Sequence, residues 1–344
     1  MDQGQGEDED KDTENHLNDS TKSLTSSSLP STSSSAHRKA TIPFDKTDTI
    51  LLLGEANFSF AHSLILAPHS IPPHQICATS YDSEQVCWEK YRDAKGHVEA
   101  LKAAGARVEF GIDAGELGSK GKAKGKGKGS IEGGMKWSRV VFNFPHVGTG
   151  IKDQDRNILA NQHLLLRTLR AVHPLLTRGP SSFPIIDSQS KSKLKNKKLK
   201  RKRSLSISLS PPPQSDNDND NDNDNNDLDD SHLLTTEFQP PKKEGTILIT
   251  HLNQPPYTLW ALARLATRPP AFCPGPKRLP QPKYRLLRSF EFTPDLYEGY
   301  QHRRTIGFKE GTSRDSNQEI KGRKGEARTW EFAPVEQQVS EVDE

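Results

Sequence analysis

The sequence predicts one α/β domain built on an open, mostly parallel sheet. Five apolar runs of strand length alternate along the chain with helical segments, which is the order in which parallel strands are connected. Two later runs, at residues 284–292 and 303–308, predict an antiparallel hairpin at the C-terminal edge of the sheet. Only 31% of the 344 residues are hydrophobic, which is too few for a packed core throughout, so parts of the chain must lie outside the domain.

The first β-loop-α unit is the stretch around which the others are arranged. Residues 49–60 read T-I-L-L-L-G-E-A-N-F-S-F, a strand that breaks at Gly54 and leads into a helix over residues 58–66. Such a turn brings backbone N–H groups and the positive end of a helix dipole to one point, where a nucleotide-like ligand can bind. Many parallel-sheet proteins turn on a glycine here, so this turn alone is a weak signal.

Polar residues follow the other predicted strands. The remaining strands are expected at residues 75–80, 107–110, 137–143 and 245–251, and helices at 84–104, 153–176 and 256–266. Asp82, Asp113 and Asn143 then lie at strand ends beside Gly54 and Glu55, on the edge where parallel sheets bind ligands. A carboxylate there suits ribose hydroxyls. The alternative is that Asp82 or Ser83 only caps the following helix.

Four segments are expected to lie outside the packed core. They are disordered tails at residues 1–40 and 310–344, and inserts at 116–135 and 180–243 within a domain spanning 41–309. The first insert is rich in Lys and Gly, which suits either phosphate contacts or a tolerated surface insertion. The basic run at 191–203 is typical of a nuclear or nucleolar address and a weak RNA tether.

Several classes of protein are disfavoured. No apolar run is long enough to span a bilayer, and the acidic N-terminus is unlike a secretory signal, so no membrane partner is expected. Three cysteines without C-x-x-C spacing predict neither a disulfide framework nor a metal site. No second glycine follows Gly54 as a dinucleotide fingerprint requires, and no G-K-[ST] supports a triphosphate site.

Four ordered motifs together resemble a known family. The motifs are L-G-E-A-N-F-S-F, S-Y-D-S, F-N-F-P-H-V-G-T-G with its continuation I-K-D-Q-D-R-N-I-L-A-N-Q, and a late Y-Q-H-R-R-T. They are similar to those of the fungal and plant ribosomal RNA uracil-N3 methyltransferases, which have a Rossmann-like domain. The likeness covers about residues 46–178 and 245–308 and leaves out the tails and the two inserts.

The resemblance implies S-adenosylmethionine as methyl donor and N3 of a uridine in large-subunit (25S) ribosomal RNA as the acceptor. It further implies nucleolar pre-ribosomal particles as partners and no metal. By position, Gly54, Glu55 and Asn57 would line the methionine end of the donor, Asp82 its ribose and Asp113 its adenine. A non-catalytic RNA-binding assembly factor, or a methyltransferase for another base, remains the alternative.

The fourth strand end resembles the N-P-P-aromatic motif of amino-methyltransferases. Asn143 is expected to accept the N3–H bond, Phe144 to stack on a flipped base, and Pro145 to hold the loop. His146 is a base, an oxygen-polarising donor, or only a loop hydrogen-bonder.

The motif near residue 300 is the predicted RNA contact. It comprises Tyr300, His302, Arg303 and Arg304. For Arg304 an internal salt bridge is an equal alternative.

Overall fold

The computed structural model describes residues 40–117, 131, 134–148, 150–183, 237–305, 307, 317, 319–321 and 327–335. These residues form seven strands: β1 Ile50–Leu53, β2 Ile76–Thr79, β3 Arg107–Glu109, β4 Arg139–Asn143, β5 Thr246–Leu252, β6 Tyr284–Glu291 and β7 Ala327–Pro334. The α-helices are α1 Ser59–Ile65, α2 Glu84–Lys90, α3 Ala94–Ala103, α4 Gln154–Val172 and α5 Leu262–Thr267. Short 3-10 turns lie at Pro73–Gln75, His173–Leu175, Tyr257–Trp260 and Pro294–Leu296.

The seven strands form one sheet in the order β3-β2-β1-β4-β5-β7-β6. The first five are parallel, whereas β7 runs antiparallel to both of its neighbours. The chain moves outward from β1 to β3 and then returns to place β4 on the other side of β1, so the strand order reverses between β1 and β4. That reversal is the point at which open α/β sheets bind ligands. The predicted fold class, a Rossmann-like α/β sheet with an antiparallel edge, is confirmed.

The sheet is covered on both faces, as the run of apolar residues in β1 requires. Ile50 and Leu52 join a core on one face with α1 and α3, and Leu51 and Leu53 join a core on the other face with α4. All four side chains are almost completely buried. β1 is therefore the central strand, and the turn that follows it is fixed from both sides.

The helix predicted over residues 84–104 is two helices. α2 ends at Lys90, the next residue, Tyr91, has an extended backbone (φ −129°, ψ 98°), and α3 begins three residues after Tyr91. The break places the Tyr91 ring in the core, and its hydroxyl donates to the carbonyl oxygen of Arg304 at 3.1 Å. The free energy gained by burying this ring thus outweighs the hydrogen bonds lost where the helix is interrupted.

The edge hairpin has a different second strand from the one predicted. β6 pairs with β7, the described residues 303–305 belong to no strand, and β7 lies inside the segment 310–344 that was expected to be a disordered tail. Both predictions were wrong because Glu331 made the segment look solvated. Glu331 is fully buried, and it accepts hydrogen bonds from Arg288 Nε (2.6 Å) and Thr246 Oγ1 (2.9 Å).

Described residues at the ends of both predicted inserts pack against the domain. At the end of the second insert, the ring of Phe238 packs against Trp137 with centroids 4.8 Å apart, and Gln239 bonds to Gln75. At the end of the first, Ile131 is buried. The described part of the chain excludes residues 1–39, 118–130 and 184–236, and the last of these ranges contains the basic run at 191–203. No helix in the described part is both long and apolar enough to cross a membrane.

Candidate active site at the carboxyl ends of the strands

A cavity of about 370 Å³ opens where β1, β2 and β4 end. All of the sequence-predicted site residues line it except Pro145 and Arg304. These two flank the cavity within segments whose other residues do line it, so the structure brings the predicted site into one place. Within the described ranges, no three His, Cys, Asp or Glu side chains are grouped closely enough to hold a metal ion.

Gly54 forms the floor of the cavity because only glycine fits there. Its φ is +65°, a left-handed conformation that side chains disfavour. A Cβ atom at this position would lie 2.7 Å from Cε2 of Phe142 on the neighbouring strand. The backbone of the first turn can therefore approach β4 closely.

Glu55 is a buried carboxyl group at the inner end of the cavity. Its N–H donates to the carbonyl oxygen of Thr79 at 2.8 Å, and Oε2 accepts the N–H of Ala61 in α1 at 3.2 Å. Burial raises the pKa of Glu55 to about 7, although the bond from Ala61 acts in the opposite direction. A cationic group bound beside it would restore the ionised form, so the position suits a cation.

The side chain of Asn57 is occupied by the protein itself. Oδ1 accepts the Ser59 hydroxyl at 2.8 Å, and Nδ2 donates to Asp93 at 2.8 Å. Asn57 therefore fixes the loop between β1 and α1 to the start of α3. Its side chain contributes to the shape of the cavity more than to hydrogen bonding with a ligand.

The carboxylates of Asp82 and Asp113 line the cavity already paired with cations. Lys90 Nζ contacts both oxygens of Asp82, at 2.8 and 2.9 Å. Arg167 Nη2 donates to Asp113 at 3.2 Å. Ser83, not Asp82, caps α2, so Asp82 is free of the capping role considered from the sequence. Each pair leaves carboxylate lone pairs available to hydroxyl or amine donors.

The end of β4 carries an unsatisfied donor. Nδ2 of Asn143 is buried and has no hydrogen-bond partner among the described residues. Phe144 follows in a left-handed conformation (φ +51°), which its N–H stabilises by donating to Thr250 at 2.7 Å. Its ring packs 4.4 Å from the imidazole of His302. A buried amide without a partner costs free energy, so a ligand that accepts from Nδ2 would be stabilised here.

The hydrogen bonds of His146 determine its tautomer. Nδ1 accepts the N–H of Gly148 at 2.9 Å, so the proton of the neutral ring is on Nε2. Burial lowers the pKa of His146, which keeps the ring neutral near pH 7. The neighbouring Val147 N–H donates to Asn161 of α4 at 3.0 Å and holds the loop in place. At neutral pH His146 therefore offers a donor at Nε2 and no free lone pair.

The predicted RNA-contact residues form an inner wall that we call the strap, residues 300–304. Tyr300 is buried among aromatic rings, 5.5 Å from Phe60 and 5.8 Å from Phe292, and burial raises its pKa well above 10. Burial also lowers the pKa of His302 to about 4. These two side chains face the cavity and the core more than solvent.

The strap is held by side chains from several elements. Arg303 pairs with Asp93 at 2.8 Å, and Arg304 pairs with Glu319 at 2.7 Å, which is the internal ion pair considered for Arg304 from the sequence. Asn317 accepts the N–H of His302 and donates to the carbonyl oxygen of Tyr300 at 2.8 Å. These supporting partners were not predictable from the sequence, since no local spacing links them to the strap.

Comparison with known proteins identifies relatives of this chain. A family model described as "BMT5-like: rRNA (uridine-N3-)-methyltransferase BTM5-like" matches residues 51–304. The 25S rRNA (uridine(2634)-N(3))-methyltransferase of Saccharomyces cerevisiae is 33% identical over 135 residues, 36% of this chain and 40% of that protein. Heavy metal-associated isoprenylated plant protein 41 of Arabidopsis thaliana is 32% identical over 123 residues, 36% of this chain and 22% of that protein.

An uncharacterized Arabidopsis thaliana protein is 35% identical over 106 residues, 31% of this chain and 46% of that protein. The matched regions thus span less than half the length of each of these curated relatives.

Proposed function

Because the chain belongs to the BMT5-like family of rRNA (uridine-N3-)-methyltransferases, we propose that it transfers a methyl group from S-adenosylmethionine to N3 of a uridine in large-subunit ribosomal RNA. The observation that most supports the proposal is the unpartnered Nδ2 donor of Asn143, buried at the point where the strand order reverses. Such a donor requires a hydrogen-bond acceptor, and the carbonyl beside N3 of a uracil is one that fits the proposed reaction.

The residues of the cavity fit the methyl donor. When bound, S-adenosylmethionine supplies a methyl group activated by a sulfonium. Glu55 suits the cationic methionine end, because a positive charge beside a carboxyl group with a pKa of about 7 favours its ionised form. Asp82 and Asp113 lie at the ends of β2 and β3, where they would accept hydrogen bonds from the ribose and the adenine.

Asn143 would hold the edge of the uracil. Its Nδ2 donates to a uracil carbonyl, and its Oδ1 accepts the N3–H bond beside that carbonyl, so the two contacts set the rotation of the base. Phe144 would stack on the base, since its ring is only half-buried and is held on its other side by His302. These contacts would fix the plane and rotation of the base, and the Oδ1 contact ends when N3 loses its proton, which leaves the N3 lone pair free for the methyl group.

His146 would act as a donor to the uracil and not as its base. Its Nδ1 lone pair is occupied by the Gly148 N–H, and its Nε2 carries the proton. Donation from Nε2 to a uracil carbonyl stabilises the negative charge that develops when the N3 proton leaves to water. The residue would thus lower the free energy of the imide anion without receiving the proton.

Single-turnover methylation of a uridine-containing rRNA fragment tests the proposal. Asn143→Ala should retain donor binding by calorimetry and lose most of the methylation rate, since positioning contributes several kcal/mol to such barriers. Asn253→Ala is the matched control, because Asn253 is exposed and does not line the cavity. The product should be identified as N3-methyluridine by nucleoside mass spectrometry.

Two results would contradict the proposal. Full activity of Asn143→Ala would remove the uracil from this position. RNA binding without methyl transfer by the wild-type protein would favour the assembly-factor alternative.

The cellular setting follows from the proposed substrate. We infer a nuclear, nucleolar location and association with pre-ribosomal particles, because large-subunit rRNA is assembled there. The basic run at residues 191–203 supports this inference by composition.

A further inference from the structure

A second cavity lies at the opposite ends of the strands, where nothing in the proposed reaction takes place. This groove of about 1080 Å³ opens between the last turn of α4, the chain that follows it, and the start of β6. Arg170 and Arg178 line it, together with Thr177 and Gln281. It is larger than the first cavity and lies outside the site described above.

The groove has uncompensated positive charge. Neither Arg170 nor Arg178 has a carboxylate partner in the part of the chain that the structure describes. Glu244, the acidic residue that lines the groove, is already paired with Arg285. Two guanidinium groups are therefore available to an anionic ligand, and guanidinium suits the bidentate contacts that phosphates offer.

Two residues of the groove wall leave part of their hydrogen-bonding capacity unused. Thr177 Oγ1 and Gln281 Oε1 are buried and find no hydrogen-bond partner among the residues described. Each side chain is only 5% exposed, and the Gln281 amide is fixed by its Nε2, which donates to Leu166 of α4 at 2.9 Å. A ligand in the groove that carries hydroxyl groups beside its charges, as ribose does beside phosphate, would gain hydrogen bonds if either side chain turned toward it.

Helix α4 connects the groove with the first cavity. His163 and Arg167 line the first cavity, and Arg170 and His173 line the groove. Residues 163, 167 and 170 are spaced by four and three, so they share one face of the helix. From residue 163 to 173 the rise is about 15 Å, at 1.5 Å per residue. A single strand a few nucleotides long spans that distance.

We propose that this groove binds the ribose–phosphate backbone of single-stranded RNA that flanks the target uridine, a proposal that rests on the function proposed above. The phosphates contact Arg170 and Arg178, and the strand follows α4 from the catalytic cavity to the groove. The contacts carry no base specificity, because guanidinium–phosphate contacts set the position of a strand and do not read its sequence.

The test is the salt dependence of RNA binding. An rRNA fragment with the target uridine in a single-stranded loop is titrated with the full-length protein at several KCl concentrations, with fluorescence anisotropy as the readout. Removing two phosphate contacts in Arg170→Gln/Arg178→Gln should weaken binding about tenfold and reduce the slope of log K against log[KCl] by roughly 1.4, at 0.7 per contact. Arg170→Lys/Arg178→Lys should retain most of the slope.

Arg264→Gln/Arg268→Gln is the matched control. Arg264 lies on α5 and Arg268 directly follows it; both are exposed and line neither cavity, so the slope should match that of the wild type. An unchanged slope in the Arg170/Arg178 variant, or an equal loss in the control, would overturn the proposal. Tighter RNA binding by that variant would also overturn it, since it would indicate that the arginines hold an acidic protein segment.

Failure of this inference is distinguishable from failure of the proposed function. Calorimetry with S-adenosylmethionine and uridine methylation by the wild-type protein test the function alone. If the wild-type protein methylates the fragment and the Arg170→Gln/Arg178→Gln variant binds it normally, only the proposal that the groove binds RNA is overturned.

Discussion

Replacing Gly54 by alanine should destabilise the protein by an amount that the structure sets. The left-handed φ of +65° costs an L-residue about 1–2 kcal/mol. The added Cβ would lie 2.7 Å from Cε2 of Phe142, and relieving such overpacking typically costs a further 1–3 kcal/mol. We therefore expect Gly54→Ala to lower the free energy of unfolding by roughly 2–5 kcal/mol.

Urea denaturation measures this loss, with Gly105→Ala as the matched control. Gly105 also has a positive φ (+94°), but a Cβ there meets no atom within 4 Å, so only the conformational cost of about 1–2 kcal/mol applies. Trimming the facing ring with Phe142→Leu should recover part of the Gly54→Ala loss, because the two positions are in contact. Equal losses for the two alanine variants would refute the reasoning, since they would mean that the close approach to Phe142 costs nothing.

Further predictions concern the groups around the catalytic cavity. A folded-state pKa of about 7 for Glu55, above its ordinary 4.5, contributes stability that is complete below pH 4.5 and lost as pH rises through 7. Urea denaturation from pH 4.5 to 8 should therefore show the wild type losing on the order of 3 kcal/mol relative to Glu55→Gln, and parallel pH curves would contradict this. His146→Ala should slow methylation strongly at pH 7 and less at pH 9, where the uracil imide ionises without the Nε2 donor, and an equal defect from pH 7 to 9 would show that His146 only shapes the loop. Asn317→Ala should loosen the strap and reduce methylation while donor affinity falls less, and unchanged activity would show that the strap holds without it. Deleting residues 185–236 should leave thermal stability and donor affinity unchanged while reducing nuclear accumulation seen by fluorescence microscopy, and loss of folding would contradict the assignment of an insert.

The sequence was sufficient for the parallel part of the sheet. Each of β1, β2, β4 and β5 is a short run that is mostly apolar, and the turn at Gly54 is encoded by one residue type that tolerates a positive φ. Because parallel strands end on the same edge, the predicted strand-end residues had to meet once the alternation of strands and helices was recognised. Local patterns thus determined both the fold class and the place of the cavity.

Long-range pairing was not predictable in the same way. β7 carries buried Glu331, whose partners on β5 and β6 are distant in the chain, so a local reading of composition makes the strand look like a solvated tail. The pairs Asp82–Lys90 and Asp113–Arg167 likewise depend on how the helices are placed over the sheet. The charges of Arg303 and Arg304 were evident from the sequence, but their partners Asp93 and Glu319 were not.

The position of β7 determines when the sheet can be completed. Strands leave the ribosome in chain order, so β5 and β6 are both made before the strand that separates them. Until residues 327–334 emerge from the exit tunnel, the fully buried residues of β5 have an open edge, and β6 lacks the neighbour with which it pairs in the finished sheet. This half of the domain therefore closes only after β7 has been made, and until then the open edge of β5 must be kept from pairing with other chains.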